Sequence, residues 1–121
     1  MEKAILLGIR SVIYPVDDVQ ISKGWWTGAL GIEPYFDEPF YTGYNIGGFE
    51  LGLFPAGIKE NGPVTYWGVD DIDSSFLHFT QSNAAVVRGI EEVGAGIKVA
   101  ILRSAAGEIF GLIFNPHFQV V

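Results

Sequence analysis

The sequence has no cysteine, few basic residues and no long apolar run, and each of these shortages excludes a class of function. Without cysteine the chain can form no disulfide, and it offers neither a thiolate nucleophile nor thiolate ligands for zinc or an iron–sulfur cluster. Seven Lys and Arg stand against fourteen Asp and Glu, so the formal net charge is -7. A nucleic-acid partner is not expected, because phosphate neutralisation needs a basic face.

Targeting segments and phosphate-binding loops are not recognisable either. The apolar run at residues 4–8 is too short for a signal peptide or a membrane span, and Arg10 follows it closely. Neither GxGxxG nor GK[ST] occurs, which disfavours nucleotide binding. We therefore expect a cytoplasmic protein with no membrane partner.

What the chain does contain is enough apolar material for one folded domain. It has 121 residues, of which 49% are hydrophobic and 14% aromatic. This length suits a single domain, and the composition is too apolar for intrinsic disorder. We treat residues 1–121 as one domain.

The first half of the chain is expected to form a βαβββ unit over residues 9–55. A β-rich stretch at 9–16 precedes Asp17-Asp18, an N-cap signal for a helix over 18–30 that Gly31 ends. Three strands follow, at about 33–38, 40–46 and 49–55, with Gly47-Gly48 as the last turn.

The second half repeats this order over residues 64–114. A strand at 64–69, the cap Asp70-Asp71 and a helix at 72–82 precede strands at about 85–90, 97–103 and 108–114. The segments YPVDDV (14–19) and WGVDDI (67–72) match at an offset of 53 residues, each where a strand passes into a helix. We interpret the two halves as an internal repeat.

Two tandem βαβββ units resemble the vicinal oxygen chelate superfamily, which includes glyoxalase I, bleomycin-resistance proteins and extradiol dioxygenases. The most specific stretch is YPVDDVQISKGWWTGALGIEP (14–34), which is similar to the first strand and helix of that family. Ser104-Ala105-Ala106-Gly107 replaces the usual Asp-Pro-Asp-Gly turn and keeps its glycine. The resemblance implies an α+β fold, in which the tandem units form a curved, half-open, eight-stranded mixed sheet with helices on its outer face.

Strand alternation assigns side chains to the two faces of such a sheet. In strand 49–55, Leu51 and Leu53 are expected against the helix, and Glu50 and Phe54 in the cleft. Over both repeats, the residues expected to bind a ligand there are Ile13, Tyr41, Tyr44, Glu50, Phe54, Tyr66, Ile109 and Gly111.

The resemblance also implies where a metal would lie in metal-dependent relatives. The family's ligand positions fall on Ser11, Glu50, Val64 and Gly111, of which Glu50 alone is a useful ligand; a shift of two residues would put Gly52 there instead. One carboxylate cannot supply the three or more ligands of a catalytic transition-metal site. We therefore expect no metal, and no other cofactor.

The two histidines and the two aspartate pairs have ordinary explanations. His78 lies beside predicted core positions of the second helix, and His117 follows the last strand with no spaced carboxylate. Asp17-Asp18 and Asp70-Asp71 are explained as helix caps.

These observations predict a metal-free protein of this fold that binds a small, partly apolar organic molecule in an aromatic cleft. One alternative is a metal-independent lyase, isomerase or hydrolase with Glu50 as its general base. Another is a non-catalytic subunit whose cleft is filled by its own side chains.

Two environments are open for the Glu50 carboxylate: it is either desolvated among aromatic groups or hydrated at an open rim of the cleft. The apolar content also leads us to expect a homodimer.

Overall fold

The computed structural model describes residues 5–117. Two α-helices, eight strands and one short 3-10 helix (Lys59–Asn61) occur in this part of the chain. In chain order the helices and strands are β1 (Gly8–Pro15), α1 (Val19–Leu30), β2 (Phe36–Glu38), β3 (Tyr41–Ile46), β4 (Phe49–Phe54), β5 (Val64–Gly68), α2 (Ile72–Gln81), β6 (Ala85–Gly94), β7 (Ile97–Arg103) and β8 (Ile109–Phe114). The predicted α+β class, the tandem βαβββ order and the eight-stranded mixed sheet are confirmed.

The described residues divide into two compact units. Residues 11–64 form what we call the N-terminal unit, and residues 5–10 with 65–117 form the C-terminal unit. The strand order is β2-β3-β4-β1 in the first repeat and β5-β8-β7-β6 in the second. In each repeat the first and last strands pair in parallel and the remaining pairs are antiparallel.

Helix α1 begins at Val19, one residue after the predicted start, with Asp18 as its N-cap, and it ends at Leu30 as predicted. The carboxylate of Asp18 accepts hydrogen bonds from the backbone N–H groups of Gln20 (2.9 Å) and Ile21 (3.3 Å), which have no partner inside the helix. Gly31 ends the helix in the left-handed region, at φ 73°, where a side chain would be strained.

The core of the N-terminal unit lies between α1 and one face of its strands. Val19, Tyr44 and Leu53 are buried there, and Trp26, Leu30 and Leu51 pack against them among other partly buried residues. Leu51 and Leu53 therefore face the helix, as strand alternation predicts. Thr27 and Tyr44 hydroxyls are 2.8 Å apart, so the phenol of this buried tyrosine has a polar partner.

The C-terminal unit repeats this construction with different side chains. Asp71 caps α2 by accepting from the N–H of Ser74 at 3.1 Å. The buried core comprises Val69, Ile72, Ala100, Leu102 and Leu112, with Phe76, Phe79 and Phe110 among the residues packed on it. Phe110 and Leu112 thus lie on the helix side of β8.

Two strands differ from their predicted ranges by more than one residue. β2 begins at Phe36 instead of near residue 33, because Pro34 cannot donate a ladder hydrogen bond. β6 continues to Gly94, with register shifts along its pairing to β7. Neither α-helix within residues 5–117 has the length and hydropathy needed to cross a membrane.

Candidate functional site

The Glu50 carboxylate is held by two hydroxyl groups from different parts of the N-terminal unit. Ser11 Oγ donates to Glu50 Oε1 at 2.9 Å, and the Tyr35 hydroxyl donates to Glu50 Oε2. Glu50 is half-buried, and Ser11 is only 3% exposed. Because each oxygen has its own donor, the carboxylate is fixed in orientation.

Strand pairing explains why these three side chains meet. Ser11 on β1 is directly paired with Glu50 on β4, so both side chains leave the same face of the sheet. Tyr35 precedes β2, and its backbone N–H donates to the Gly43 carbonyl at 2.9 Å, which places its ring beside β3.

Two glycines on this face make room for two tyrosines. A Cβ on Gly43 would lie 2.8 Å from Glu50 Oε2 and 3.0 Å from Tyr35 Cε1, and a Cβ on Gly52 would strike the phenol end of Tyr41. Gly43 and Gly52 are direct cross-strand partners. The rings of Tyr35 and Tyr41 thus pack directly against the backbone of Gly43 and Gly52, respectively. We call this surface, with Ser11, Tyr35, Phe36, Tyr41, Glu50 and Phe54, the Glu50 face.

Aromatic rings continue from this surface toward the β2–β3 turn. Ring centroids are 6.2 Å apart for Tyr41 and Phe54, and 6.0 Å for Phe36 with Tyr41 and again for Phe36 with Phe40. Tyr35, Phe36 and Phe40 remain 61%, 39% and 62% exposed. Exposed rings grouped in this way are typical of a binding surface.

The hydroxyl of Tyr35 holds its proton unusually firmly. Desolvation of the phenol, followed by the negative charge of Glu50 and the hydrogen bond to it, raises the pKa of Tyr35 well above its ordinary value. Although much of the ring is exposed, the hydroxyl end lies over Gly43 and against the carboxylate. Tyr35 is therefore a hydrogen-bond donor to Glu50 over the physiological pH range.

The structure brings together some of the residues predicted to bind a ligand. Glu50, Tyr41 and Phe54 lie on the Glu50 face, and Ile13 shares it because it pairs with Gly52. Tyr44 does not: it is fully buried in the helix-side core, where its hydroxyl donates to the Lys23 carbonyl at 3.1 Å. We correct its placement, because Tyr44 is paired with Leu51 and so points to the same side as that residue.

The remaining predicted residues belong to the C-terminal unit. Tyr66 is paired with Gly111, and a Cβ on Gly111 would lie 2.5 Å from the Tyr66 ring. Ile109, two positions before Gly111 on β8, is half-buried. A second close approach in this unit involves Gly68, where a Cβ would lie 2.6 Å from Nε of Arg10. Desolvation lowers the pKa of Arg10, an effect opposed by the charge of Asp70.

The four positions at which the family resemblance implies metal ligands do not fit a divalent cation here. The Glu50 oxygens accept from Ser11 and Tyr35, Val64 is a buried aliphatic residue, and Gly111 has no side-chain donor. No group of three or more His, Asp or Glu side chains within residues 5–117 is arranged to hold a metal ion.

The histidines and aspartate pairs lie outside this surface. His78 is exposed and its ring meets that of Phe79 edge-on at 5.3 Å. The His117 ring is 2.9 Å from the Ala95 carbonyl through Nε2. Asp18 and Asp71 cap their helices as predicted, while Asp17 pairs with Lys59 at 2.5 Å.

Sequence reasoning missed the partners of Glu50. Tyr35 is not among the residues that the sequence predicts to bind a ligand, and Ser11 is identified from the sequence solely as a family ligand position. The signal that could have found them is the spacing Tyr41-x-Gly43 and Glu50-x-Gly52 on two strands joined by a tight turn. Glycine alternating with large side chains on one strand face marks a place where other groups lie on the sheet.

Solved structures of similar fold include enzymes. A methylmalonyl-CoA epimerase variant from Streptomyces coelicolor, in complex with 2-nitronate-propionyl-CoA, aligns with a TM-score of 0.76 at 15% identity, covering 94% of this chain and 98% of that chain. The Mycobacterium tuberculosis methylmalonyl-CoA epimerase has a TM-score of 0.72 at 14% identity, with 94% and 91% covered.

A third similar structure is a glyoxalase/bleomycin resistance protein/dioxygenase superfamily member from Vibrio splendidus. Its TM-score is 0.66 at 18% identity, with 88% of this chain and 97% of that chain covered. No protein-family model and no curated protein matches the sequence. The chain thus has the vicinal oxygen chelate fold, as its sequence predicts, and identities this low bear on the fold alone.

Proposed function

We propose that the chain binds a small, partly apolar organic molecule on the Glu50 face without a metal ion. The observation that supports this most is a fixed carboxylate beside exposed aromatic rings: Glu50 is oriented by Ser11 and Tyr35, and Phe36 lies at the same surface. Small-molecule sites characteristically combine apolar walls with a few placed polar groups.

Metal independence follows from the same contacts. Both Glu50 oxygens accept hydrogen bonds from neutral hydroxyls, and the other positions at which relatives carry ligands hold serine, valine and glycine. A catalytic metal site needs about three protein ligands. Binding should therefore be unaffected when divalent ions are removed.

An NMR titration of the EDTA-treated, isotope-labelled protein with benzyl alcohol tests this proposal. We expect the backbone amide signals of Gly43 and Gly52 to shift saturably at millimolar concentrations, because both glycines lie beneath the rings. Phe36→Ala should weaken the response. Leu77→Ala, which removes an exposed apolar side chain on α2, should leave it unchanged. Shifts that are absent, or that are spread over both units without saturation, would contradict the proposal.

The fixed carboxylate also supports a second candidate, a metal-independent lyase, isomerase or hydrolase in which Glu50 is the general base. Ser11 and Tyr35 would be its positioning residues, since they hold both carboxylate oxygens. Turnover that Glu50→Gln abolishes, while benzyl alcohol still binds, would favour this enzyme. Binding without turnover of any substrate tested would favour the binding protein.

A homodimer is part of the proposal as well. Large apolar side chains on α1 are exposed, Ile21 at 72% and Trp25 at 64%, and a second copy would cover such surface. Light scattering at tens of micromolar should report twice the mass of the chain; a monomer at that concentration would disprove this expectation.

A further inference from the structure

The Glu50 carboxylate and the two hydroxyls that orient it present hydrogen-bond acceptors to a ligand. The Ser11 hydroxyl proton and the Tyr35 hydroxyl proton are both directed at the Glu50 carboxylate. Each hydroxyl can therefore offer a ligand only its oxygen lone pairs, and the carboxylate itself has no proton to donate. A ligand approaching this group therefore meets acceptors.

The negative charge of Glu50 also favours a ligand that donates hydrogen bonds. Within residues 5–117, the hydrogen bonds to the Glu50 carboxylate come from two neutral donors, and its negative charge has no cationic side chain in contact. The hydroxyls of Ser11 and Tyr35 orient the carboxylate but are uncharged, so they do not neutralise its negative charge. A carboxylate has about four acceptor positions, so the two hydrogen bonds leave capacity for a ligand.

The surrounding rings add to this preference. Tyr35 contacts the carboxylate and Phe36 lies on the same face, and both side chains are partly exposed; the ring of Phe36 lies 6.0 Å from that of Tyr41. The face of an aromatic ring carries partial negative charge and attracts cations within about 6 Å. Carboxylate, hydroxyl lone pairs and ring faces thus all favour a positively charged, N–H-bearing group.

We infer that the ligand of the Glu50 face is an organic cation, in which an ammonium or amidinium group is attached to a flat apolar body. Its N–H groups would donate to the Glu50 carboxylate and to the Tyr35 oxygen, and its apolar body would lie on the rings of Phe36 and Phe40. Anionic molecules are disfavoured at this position, since they would bring a second negative charge beside the Glu50 carboxylate. This inference rests on the proposed function, because it names the class of the bound molecule.

Three probes of similar size but different charge test it: benzylammonium, benzyl alcohol and benzoate, each titrated by NMR into the same protein. We expect benzylammonium to bind about tenfold or more tightly than benzyl alcohol, the lower end of the effect of a charge-assisted hydrogen bond. Benzoate should bind more weakly than either. This comparison uses the wild-type chain, so it does not depend on any variant folding.

Two carboxylate-to-amide variants separate a local effect from the net charge. Glu50→Gln should lose the preference for benzylammonium over benzyl alcohol, because the amide carries no charge. Glu60→Gln, which removes one negative charge from the exposed 3-10 helix of the same unit, should keep the full preference.

The outcomes distinguish this inference from the proposed function. Equal affinity for benzylammonium and benzyl alcohol, or a preference that survives Glu50→Gln, would overturn the organic cation while the binding site stands. No saturable binding of any of the three probes to the Glu50 face would overturn the proposed function itself.

Discussion

The hydroxyl of Tyr35 donates a hydrogen bond to the carboxylate of Glu50, fifteen residues further along the chain. One residue lies in the loop before β2 and the other on β4, and Gly43 between them carries no side chain that would separate the pair. Tyr35 itself is tied to β3 by its backbone hydrogen bond to the Gly43 carbonyl. The contact therefore links the orientation of the carboxylate to the packing of the β2–β3–β4 meander.

The Tyr35–Glu50 contact should make stability fall at high pH. Desolvation and the charge of Glu50 raise the pKa of Tyr35 above its ordinary value of about 10, so the folded chain holds this proton more tightly than the unfolded chain does. The stabilisation is complete below about pH 10 and is lost as the pH rises beyond it. Urea unfolding of wild type and Tyr35→Phe across this range measures the effect.

Tyrosinate absorbance provides the check on that assignment. Wild type should show a component that ionises above the ordinary tyrosine range, and Tyr35→Phe should lack it. If the component missing from Tyr35→Phe instead titrates at the ordinary tyrosine pH, the phenol is not shielded by Glu50.

Two glycine-to-alanine variants should change stability in opposite directions. Gly43→Ala brings a methyl group to 2.8 Å from Glu50 Oε2 and should lower the free energy of unfolding by about 1–3 kcal/mol, since side chains must move. Gly28→Ala on α1 meets nothing within 4 Å and should raise it by about 0.5–1 kcal/mol through helix propensity. Denaturant unfolding measures both, and a neutral Gly43→Ala would show that the Tyr35 ring is loosely held.

Truncation of the helix-side core should be costly. Leu53 is fully buried between β4 and α1, so Leu53→Ala should lower the free energy of unfolding by about 2–5 kcal/mol. Leu77→Ala removes the same atoms from a side chain that is 55% exposed and should change it by less than about 0.5 kcal/mol. Equal effects in the two variants would contradict the assignment of Leu53 to the core.

Adjacent aspartates at the start of α1 should differ in their effect on stability. Asp18 accepts from two backbone N–H groups, so Asp18→Ala should cost about 1 kcal/mol. Asp17 pairs with Lys59 at the surface, and Asp17→Ala should cost less than about 0.5 kcal/mol. Thermal unfolding of the two variants tests whether Asp18, and not Asp17, stabilises the start of α1.

Removal of metal ions should leave the protein unchanged. Its Glu50 oxygens accept from Ser11 and Tyr35, so extended dialysis against EDTA should alter neither the unfolding temperature nor the binding of benzyl alcohol. Elemental analysis after dialysis against metal-free buffer should find no stoichiometric zinc, nickel, iron or manganese. About one such ion per chain, lost together with binding on EDTA treatment, would show that ligands beyond the expected four positions are recruited.

Local patterns were sufficient to predict the elements of this fold. Asp18 and Asp71 cap their helices because a short carboxylate can reach the free N–H groups of its own first turn. Leu51 and Leu53 face α1 because alternation along a strand is a property of the chain itself. The cap pattern recurs at an offset of 53 residues, and this recurrence together with the predicted strands indicated the tandem βαβββ order.

The prediction for Tyr44 was wrong because the face on which its side chain lies depends on which residue of β4 it is paired with. Tyr44 and Glu50 lie on separate strands, and which face Tyr44 shares depends on the register across the Gly47-Gly48 turn, which pairs it with Leu51. A polar hydroxyl on an aromatic ring suggests a site, but Thr27 and the Lys23 carbonyl satisfy it inside the core.

The sequence by itself determined the helices, the caps, the order of the strands along the chain and the presence of one carboxylate, Glu50, at a position where the family resemblance implies a metal ligand. Tertiary structure alone decided what that carboxylate is bonded to. Ser11 lies 39 residues from Glu50, and Tyr35 lies in an irregular segment whose position depends on one backbone hydrogen bond to β3. Hydrogen bonds between distant residues depend on strand register and on the close approach that Gly43 permits, and no local periodicity encodes either.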